Sequence, residues 1–348
     1  MIGRVTVAVA LALSTACSSD ESSAPAAVAA APTVLARGET VPVGTAEQDA
    51  ADDPAIWRNA ADPAQSLIVA TDKKAGLYVY GLDGKSRSFT AAGRLNNVDL
   101  VDLGERGIIV VASDRNDTAN AKLRVYRLDP GSAKLNPIGA VGGGSGEAYG
   151  ICLAARPDGS VDAFSVLKEG VIEHVRIIVD QDMATGSTVR RMSVPTQPEG
   201  CVVDARSNRL FIGEEDVGIW QFDSRADSPT AGAIIARVDG KQLLADVEGL
   251  ALAAIGADGG YLIASSQGDN AYALFRLPDL APAGRFRIAA GAFGSTEETD
   301  GIAVALGDFG SRFPGGLFVA QDGKNQPAAQ NFKLVSWTDI ISALERAD

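Results

Sequence analysis

The chain has 348 residues, and its 44 acidic side chains outnumber its 31 basic ones to give a formal net charge of −13. This balance argues against a nucleic-acid-binding protein, which needs a basic surface. The 38 glycines, the low aromatic content of 6% and the lack of a long amphipathic pattern before the C-terminus favour an all-β fold with many turns.

Residues 1–17 predict an export signal. Arg4 precedes an apolar stretch that ends at Leu13, and small residues lead to Cys17. The stretch is too short to span a bilayer as a helix. Two routes stay open: lipidation of Cys17, which would attach the protein to the outer membrane, and ordinary signal-peptidase cleavage. We expect an exported protein, either periplasmic, attached to the outer membrane or secreted.

Residues 18–32 form an Ala- and Ser-rich segment that predicts a disordered tether. Residues 33–348 predict one large domain. We expect this domain to be monomeric and to bind a small molecule rather than nucleic acid.

Two strand patterns repeat six times in the domain, each with a spacing of roughly 50 residues. The first reads DDPAIW from Asp52, NNVDLV from Asn96, AYGICL from Ala148, PEGCVV from Pro198, VEGLAL from Val247 and TDGIAV from Thr299. The second is a strand, a polar turn and another strand, and it begins at Leu67, Ile108, Asp162, Arg209, Tyr261 and Leu317. Six such units predict a six-bladed β-propeller with mostly four antiparallel strands per blade.

Charged residues occur at the same point of each repeat, where loops of a propeller build its site. Bases occupy repeats one to three, whereas acids dominate repeats four to six, as in the run Glu214–Asp216. Each residue taken alone fits a solvated turn. Their shared position favours a site that holds a hard cation and a phosphate side by side, since Ca²⁺ prefers oxygen ligands and Lys and Arg bind phosphate.

Two further observations limit the chemistry. Cys152 and Cys201 fall at matching places in neighbouring repeats, so a disulfide and a pair of buried free thiols are both open. The single histidine, His174, lies in a strand-like run and either faces solvent or packs in a blade. A histidine nucleophile, a Ser–His–Asp triad and a zinc cluster are therefore excluded.

From about residue 45 to the end, the chain resembles the β-propeller (alkaline) phytases. The motifs that carry the resemblance occur in order: DAADDPAIW, TDKKAGLYVY, LNNVDL, ASDR, EAYG, EGCVVD, FIGEEDVGIW, DVEGL, LIASSQGDNAYALF, TDGI, and GLFVAQDGKN followed by QNFKLVSW. The resemblance implies calcium-dependent release of phosphate from phytate, a hexaphosphorylated inositol presented as its calcium salt. It also implies several bound Ca²⁺ ions and a second phosphate-binding site.

The resemblance also implies roles for individual residues. The implied Ca²⁺ ligands are Asp52, Asp53, Glu199, Glu215, Asp246, Glu248 and Asp300, with Asp49, Asn97 and Asp322 as lesser candidates. The implied contacts to the reacting phosphate are Lys73, Arg115, Lys168 and Tyr149, with Lys74 nearby, Gln267 as a lesser candidate and Glu199 in a catalytic role. Two positions depart from the family: Gly294 and Lys324 stand where acids are usual, which would weaken a Ca²⁺ site near the last blades.

The expected mechanism is direct attack of metal-activated water on a phosphomonoester. Two other functions stay open. One is a calcium-dependent lactonase or esterase, which has no use for four bases on one rim. The other is a non-catalytic module that binds anionic ligands, from which release of phosphate would distinguish an enzyme.

Overall fold

The structure is a computed structural model, and it describes residues 1–3, 28–46 and 49–347. The export signal, Cys17 and residues 18–27 of the expected tether lie outside the described residues. Near the end of that segment, the amide of Ala29 donates to the carbonyl of Lys241 over 3.1 Å. Within the described ranges, no helix is both long and apolar enough to span a membrane.

The strands follow the chain in order and group into blades. Two short N-terminal strands come first: β1 (Thr33–Leu35) and β2 (Gly38–Glu39). Blade 1 contains β3 (Ala51–Trp57), β4 (Leu67–Asp72), β5 (Gly76–Gly81) and β6 (Ser86–Ala91). Blade 2 contains β7 (Leu95–Asp102), β8 (Ile108–Asp114), β9 (Asn120–Asp129) and β10 (Lys134–Ser145). Blade 3 contains β11 (Ala148–Ala155), β12 (Val161–Leu167), β13 (Val171–Asp180) and β14 (Met183–Ser193).

The remaining blades continue the pattern. Blade 4 contains β15 (Pro198–Asp204), β16 (Arg209–Glu214), β17 (Gly218–Asp223) and β18 (Ala233–Arg237). Blade 5 contains β19 (Val247–Ile255), β20 (Gly259–Ser266), β21 (Ala271–Leu277) and β22 (Pro282–Ala289). Blade 6 contains β23 (Ile302–Leu306), β24 (Gly316–Asp322) and β25 (Asn331–Ser336). The helical elements are the 3-10 turns Pro63–Gln65, Gly104–Arg106 and Gln267–Asp269 and the helix α1 (Trp337–Glu345).

Within each blade, successive strands pair antiparallel, and the innermost strands of neighbouring blades lie side by side around the ring, with β23 next to β3. The described residues therefore confirm the six-bladed propeller. The N-terminus closes the ring, because β2 pairs antiparallel with β25 and so supplies the outer strand of blade 6. Strand β1 adds to the outside of blade 5, parallel to β22.

The apolar strands follow from the way that the blades stack. In β4, Ile68 packs with Phe332 toward blade 6, whereas Val69 packs with Val110 toward blade 2. Both faces of a middle strand are covered, so its sequence is almost continuously apolar instead of alternating. Comparable clusters fill the other gaps between blades, and α1 packs Trp337 against the layer between blades 5 and 6.

Cys152 and Cys201 form a disulfide that links blades 3 and 4. The prediction that they occupy matching positions is wrong by one residue. Cys201 pairs with Ile212, and its counterpart in blade 3 is Ile151, which pairs with Ser165; Cys152 is the next residue along. The cysteines therefore start from opposite faces of their strands. His174 is fully buried and packs within blade 3 against Phe164.

Candidate active site

Each of the first five inner strands contains a β-bulge at the same point. The pairing register shifts between Ala51 and Pro54 in β3, and at the corresponding places in β7, β11, β15 and β19. A bulge of this kind re-aims a side chain, and such bulges are common beside active sites. The first residue inside each bulge, together with the matching residue before β23, forms a set that we call the ring residues: Asp52, Asn96, Tyr149, Glu199, Glu248 and Asp300.

Glycine follows the ring residue in blades 3 to 6, and the close approach of neighbouring blades explains it. A Cβ atom on Gly200 would lie 2.2 Å from the carbonyl oxygen of Glu248. One on Gly301 would lie 2.5 Å from the carbonyl oxygen of Asp52. No real side chain tolerates such distances, so glycine lets adjacent ring residues come together.

A second set of polar residues lies at the turn after the second strand of each blade. In blades 1 to 5, the backbone N–H after this strand donates to a carbonyl just before the inner strand of the same blade. These bonds are Lys73 to Ala50 (2.7 Å), Arg115 to Arg94 (3.0 Å), Lys168 to Glu147 (3.1 Å), Glu215 to Gln197 (3.0 Å) and Gln267 to Asp246 (3.0 Å). The five donors, which we call the turn residues, thereby lie beside the ring residues at one mouth of the channel.

The side chain of Lys73 contacts carboxylates from both blade 1 and blade 6. Its ammonium lies 3.0 Å from Asp52 Oδ1 and 3.2 Å from Asp300 Oδ2, and it also pairs with Asp49. Burial alone would lower the pKa of Lys73, but the surrounding carboxylates outweigh it and raise that pKa well above its ordinary value. Asp49 also accepts from Lys74 over 3.2 Å, and Asp300 accepts from Gln267 over 2.8 Å.

Three glutamates converge beside this group. Carboxylate oxygens of Glu199, Glu215 and Glu248 all lie within 4.8 Å of one another. Burial raises the pKa of Glu199 and of Glu248 well above the ordinary value, and the charges of Asp52 and Glu199, respectively, raise them further. The Oε2 atom of Glu248 is buried without a hydrogen-bond partner. Like charges gathered out of water favour either protonation or a bound cation.

The basic part of the mouth is organised by Tyr149. The guanidinium carbon of Arg115 lies 5.7 Å from the centre of its ring, and the ammonium of Lys168 lies 5.1 Å from it. Arg115 also lies 3.7 Å from Glu147. Burial and the charge of Glu199 raise the pKa of Tyr149, so its hydroxyl stays protonated and can donate a hydrogen bond.

Asp53 and Asn97 lie one residue beyond the ring and line the channel, in a cavity of about 290 Å³. Asp53 accepts from the amide of Val98 over 3.1 Å, and burial followed by the charge of Asp52 raises its pKa. Burial and the charge of Asp216 raise the pKa of the half-buried Asp246.

Asp322 pairs with Lys333 of blade 6 over 3.1 Å, whereas Asp49, Asp52 and Asp300 pair with Lys73 at the mouth. Asn96 is the ring residue that the predicted site set omits, although its motif is part of the resemblance. Its amide nitrogen donates to Glu199 Oε1 over 2.8 Å. An alignment of the six repeats identifies Asn96, because it holds the place in blade 2 that Tyr149 and Glu199, each followed by glycine, hold in blades 3 and 4.

Comparison with known proteins gives the same picture. The chain is 38% identical over 327 residues to the 3-phytase of Bacillus subtilis (strain 168), which covers 89% of this chain and 85% of that protein. The model of the family described as Phytase matches residues 3–348. The chain therefore belongs to the phytase family.

Proposed function

We propose that this protein is a calcium-dependent phosphomonoester hydrolase that releases phosphate from phytate. The observation that carries the proposal is one mouth at which buried carboxylates face a lysine, an arginine and a tyrosine. The family and the name of the Bacillus relative support phytate as the substrate. The bases Lys73, Arg115 and Lys168 favour this reading over a lactonase, since a neutral lactone offers them no partner.

The carboxylates fit calcium. Their donors are all oxygen, the element that Ca²⁺ prefers, and Glu248 keeps an oxygen without a protein partner. The residues that would hold the ions are Asp49, Asp52, Asp53, Asn97, Glu199, Glu215, Asp246, Glu248 and Asp300. Burial and neighbouring carboxylates raise the pKa of Glu199 and Glu248 and so disfavour their charged forms, and a bound divalent cation would offset that cost.

The basic residues would bind the substrate. Arg115 and Lys168 flank Tyr149, and together the three offer donors to one phosphate group. Lys73 would neutralise charge as it develops on the transferring phosphoryl group, and Lys74 and Gln267 lie on the same side. Calcium, when bound, supplies positive charge against the phosphate and lowers the pKa of water. Direct attack of water on phosphorus forms no covalent intermediate, and it is consistent with the lack of a histidine at the mouth among the described residues.

We further infer that the protein works outside the cytoplasm. The Cys152–Cys201 disulfide supports export, since such bonds persist in oxidising compartments. Lipidation at Cys17 and cleavage by an ordinary signal peptidase remain the two alternatives for its processing. We expect the enzyme to act as a monomer.

The test is phosphate release from calcium phytate by the wild type and by Glu199→Gln. We expect activity that needs calcium, and a loss of about 100-fold in turnover for the variant, because one ligand of the buried cluster is replaced by a neutral amide. Glu105→Gln, an exposed residue of the 3-10 turn Gly104–Arg106, is the matched control. Full activity in excess chelator, or wild-type turnover in Glu199→Gln, would contradict the proposal.

A further inference from the structure

A second oxygen-rich cluster lies in blade 6, and it surrounds the ammonium of Lys333. This side chain is fully buried, with a relative exposure of 0%. Four oxygens lie within hydrogen-bonding distance: Glu39 Oε2 at 2.7 Å, Asn331 Oδ1 at 2.9 Å, Asn325 Oδ1 at 3.0 Å and Asp322 Oδ2 at 3.1 Å. We call these four side chains and Lys333 the lysine cage.

The donor set of the cage resembles that of a calcium site. Two carboxylates and two amide oxygens come from four places: β2, the end of β24, the loop after β24, and the first residue of β25. Ca²⁺ uses these ligand types, but here each oxygen already faces the ammonium. A divalent ion added to the cage would lie beside the fully buried ammonium of Lys333, and repulsion between the two positive charges would oppose its binding.

Both departures from the family pattern lie at this cage. A Cβ atom on Gly294 would lie 3.1 Å from Lys333 Nζ and 3.9 Å from Asp322 Oδ2, so an acid at this position would point toward the same centre. The amide of Lys324 donates to Asp322 Oδ1 over 3.1 Å, whereas its ammonium turns away to pair with Glu298 over 3.1 Å. Both departures, a glycine and a lysine in place of acids, reduce the negative charge that could attract a cation to this part of blade 6.

We propose that Lys333 is a built-in cation that takes the place of a structural metal ion in blade 6. The lysine cage therefore binds no calcium, and Asp322 is a partner of Lys333 and not a metal ligand. The cage also fixes Glu39, so the chain's own ammonium holds the closing strand β2 onto β25 whatever the calcium concentration. Calcium then acts only at the channel and its mouth.

The test counts calcium ions bound per chain by equilibrium dialysis, with calcium alone and no substrate. We expect Asp322→Asn to bind as many ions as the wild type. We expect Lys333→Met, which keeps the apolar stem and removes the charge, to bind one more. Lys324→Met is the matched control, because this lysine lies next to the cage without entering it, and its ion count should equal that of the wild type.

Thermal unfolding gives a second readout. In chelator, Lys333→Met should melt on the order of 5 °C below the wild type, because it leaves two carboxylates facing each other without a cation. Added calcium should raise its melting temperature by more than it raises that of the wild type.

A lower ion count in Asp322→Asn than in the wild type would overturn the proposal, and so would a folded Lys333→Met that gains no ion. If Lys333→Met does not fold, the Asp322→Asn count alone decides. These comparisons are between variants, so they hold even if the channel mouth proves to bind no calcium.

Discussion

Lys73 is a buried lysine whose charge is balanced by several carboxylates. It pairs with Asp49, Asp52 and Asp300, and its side chain is only 8% exposed. The adjacent Lys74 reaches Asp49 alone and is 33% exposed. Two successive lysines therefore differ in burial and in the number of carboxylates that surround them.

This contrast gives a prediction. Lys73→Met should lower kcat/KM for phytate by about 100-fold or more, because the charge next to the reacting phosphate is lost. It should also cost about 3 kcal/mol of calcium-free stability, since buried carboxylates lose their partner. Lys74→Met should stay within about tenfold, as expected for a partly exposed pair. Steady-state kinetics and urea unfolding measure both effects, and equal losses in the two variants would contradict the assignment.

Asp162, far from the mouth, gives a prediction about pH. Its carboxylate lies 2.9 Å from His174 Nε2, and it accepts from Arg176 over 2.6 Å and from Arg156 over 2.9 Å. Burial alone would raise its pKa, but these partners lower the pKa from 3.8 to about 2. A lowered pKa means that the folded state binds this proton less tightly than the unfolded state does.

The stability that Asp162 contributes is thus complete above pH 3.8 and is lost as the pH falls toward about 2. We expect Asp162→Asn to be less stable than the wild type at pH 6, and the difference to shrink as the pH falls below about 4. Denaturant midpoints measured along this range provide the check. A difference that grows toward low pH would show that the sign is wrong.

Among the elements, the inner strands of blades 3 and 4 carry both site residues and the disulfide. Cys152 lies three residues after Tyr149, and Cys201 lies two residues after Glu199; the two cysteines have a sequence separation of 49. The crosslink therefore joins the two strands directly behind the mouth, where their spacing matters for the site.

Removal of this crosslink should be costly. The chain-entropy model gives about 4 kcal/mol for a loop of this length. We expect the double variant Cys152→Ala/Cys201→Ala to lose stability of this order in urea unfolding. The reduced wild-type protein should have the same lowered stability as the variant. A variant as stable as the oxidised wild type would contradict the expectation.

The sequence predicted the paired strands of each blade well because their burial leaves a strong pattern. β4 is apolar from Leu67 to Ala70 and β5 from Leu77 to Tyr80, since neighbouring blades cover both faces, and Lys73–Ala75 forms the turn between the two strands. The same regularity predicted the acidic and basic parts of the mouth.

What the sequence did not predict depends on contacts between distant segments. β2 has only two residues, too few to show a periodic pattern, and its pairing with β25 is what brings Glu39 to Lys333. The sequence therefore contained no sign that Asp322 and Glu39 meet at the same lysine. The one-residue offset of Cys152 from Cys201 becomes visible in the sequence when Gly150 is aligned with Gly200, the glycines that follow the ring residues.

At the scale of the whole molecule, the stability of the folded protein should depend on the calcium concentration. An ion that binds only the folded state stabilises it by about 2.7 kcal/mol at one hundred times its dissociation constant. We expect the melting temperature to rise with calcium and to fall in chelator, as scanning calorimetry can show. Magnesium at the same ionic strength is the control, and a melting temperature indifferent to chelator would contradict the linkage.

The closing of blade 6 has a consequence for biosynthesis. Glu39 and Lys333 meet across a separation of 294 residues, so one of the earliest strands to leave the ribosome is completed by the last. Until β25 is made, β2 has no strand to pair with and the ring cannot be closed through blade 6. A chain cut before β25 lacks the strand that pairs with β2, so blade 6 cannot be completed by the N-terminal strand in such a product.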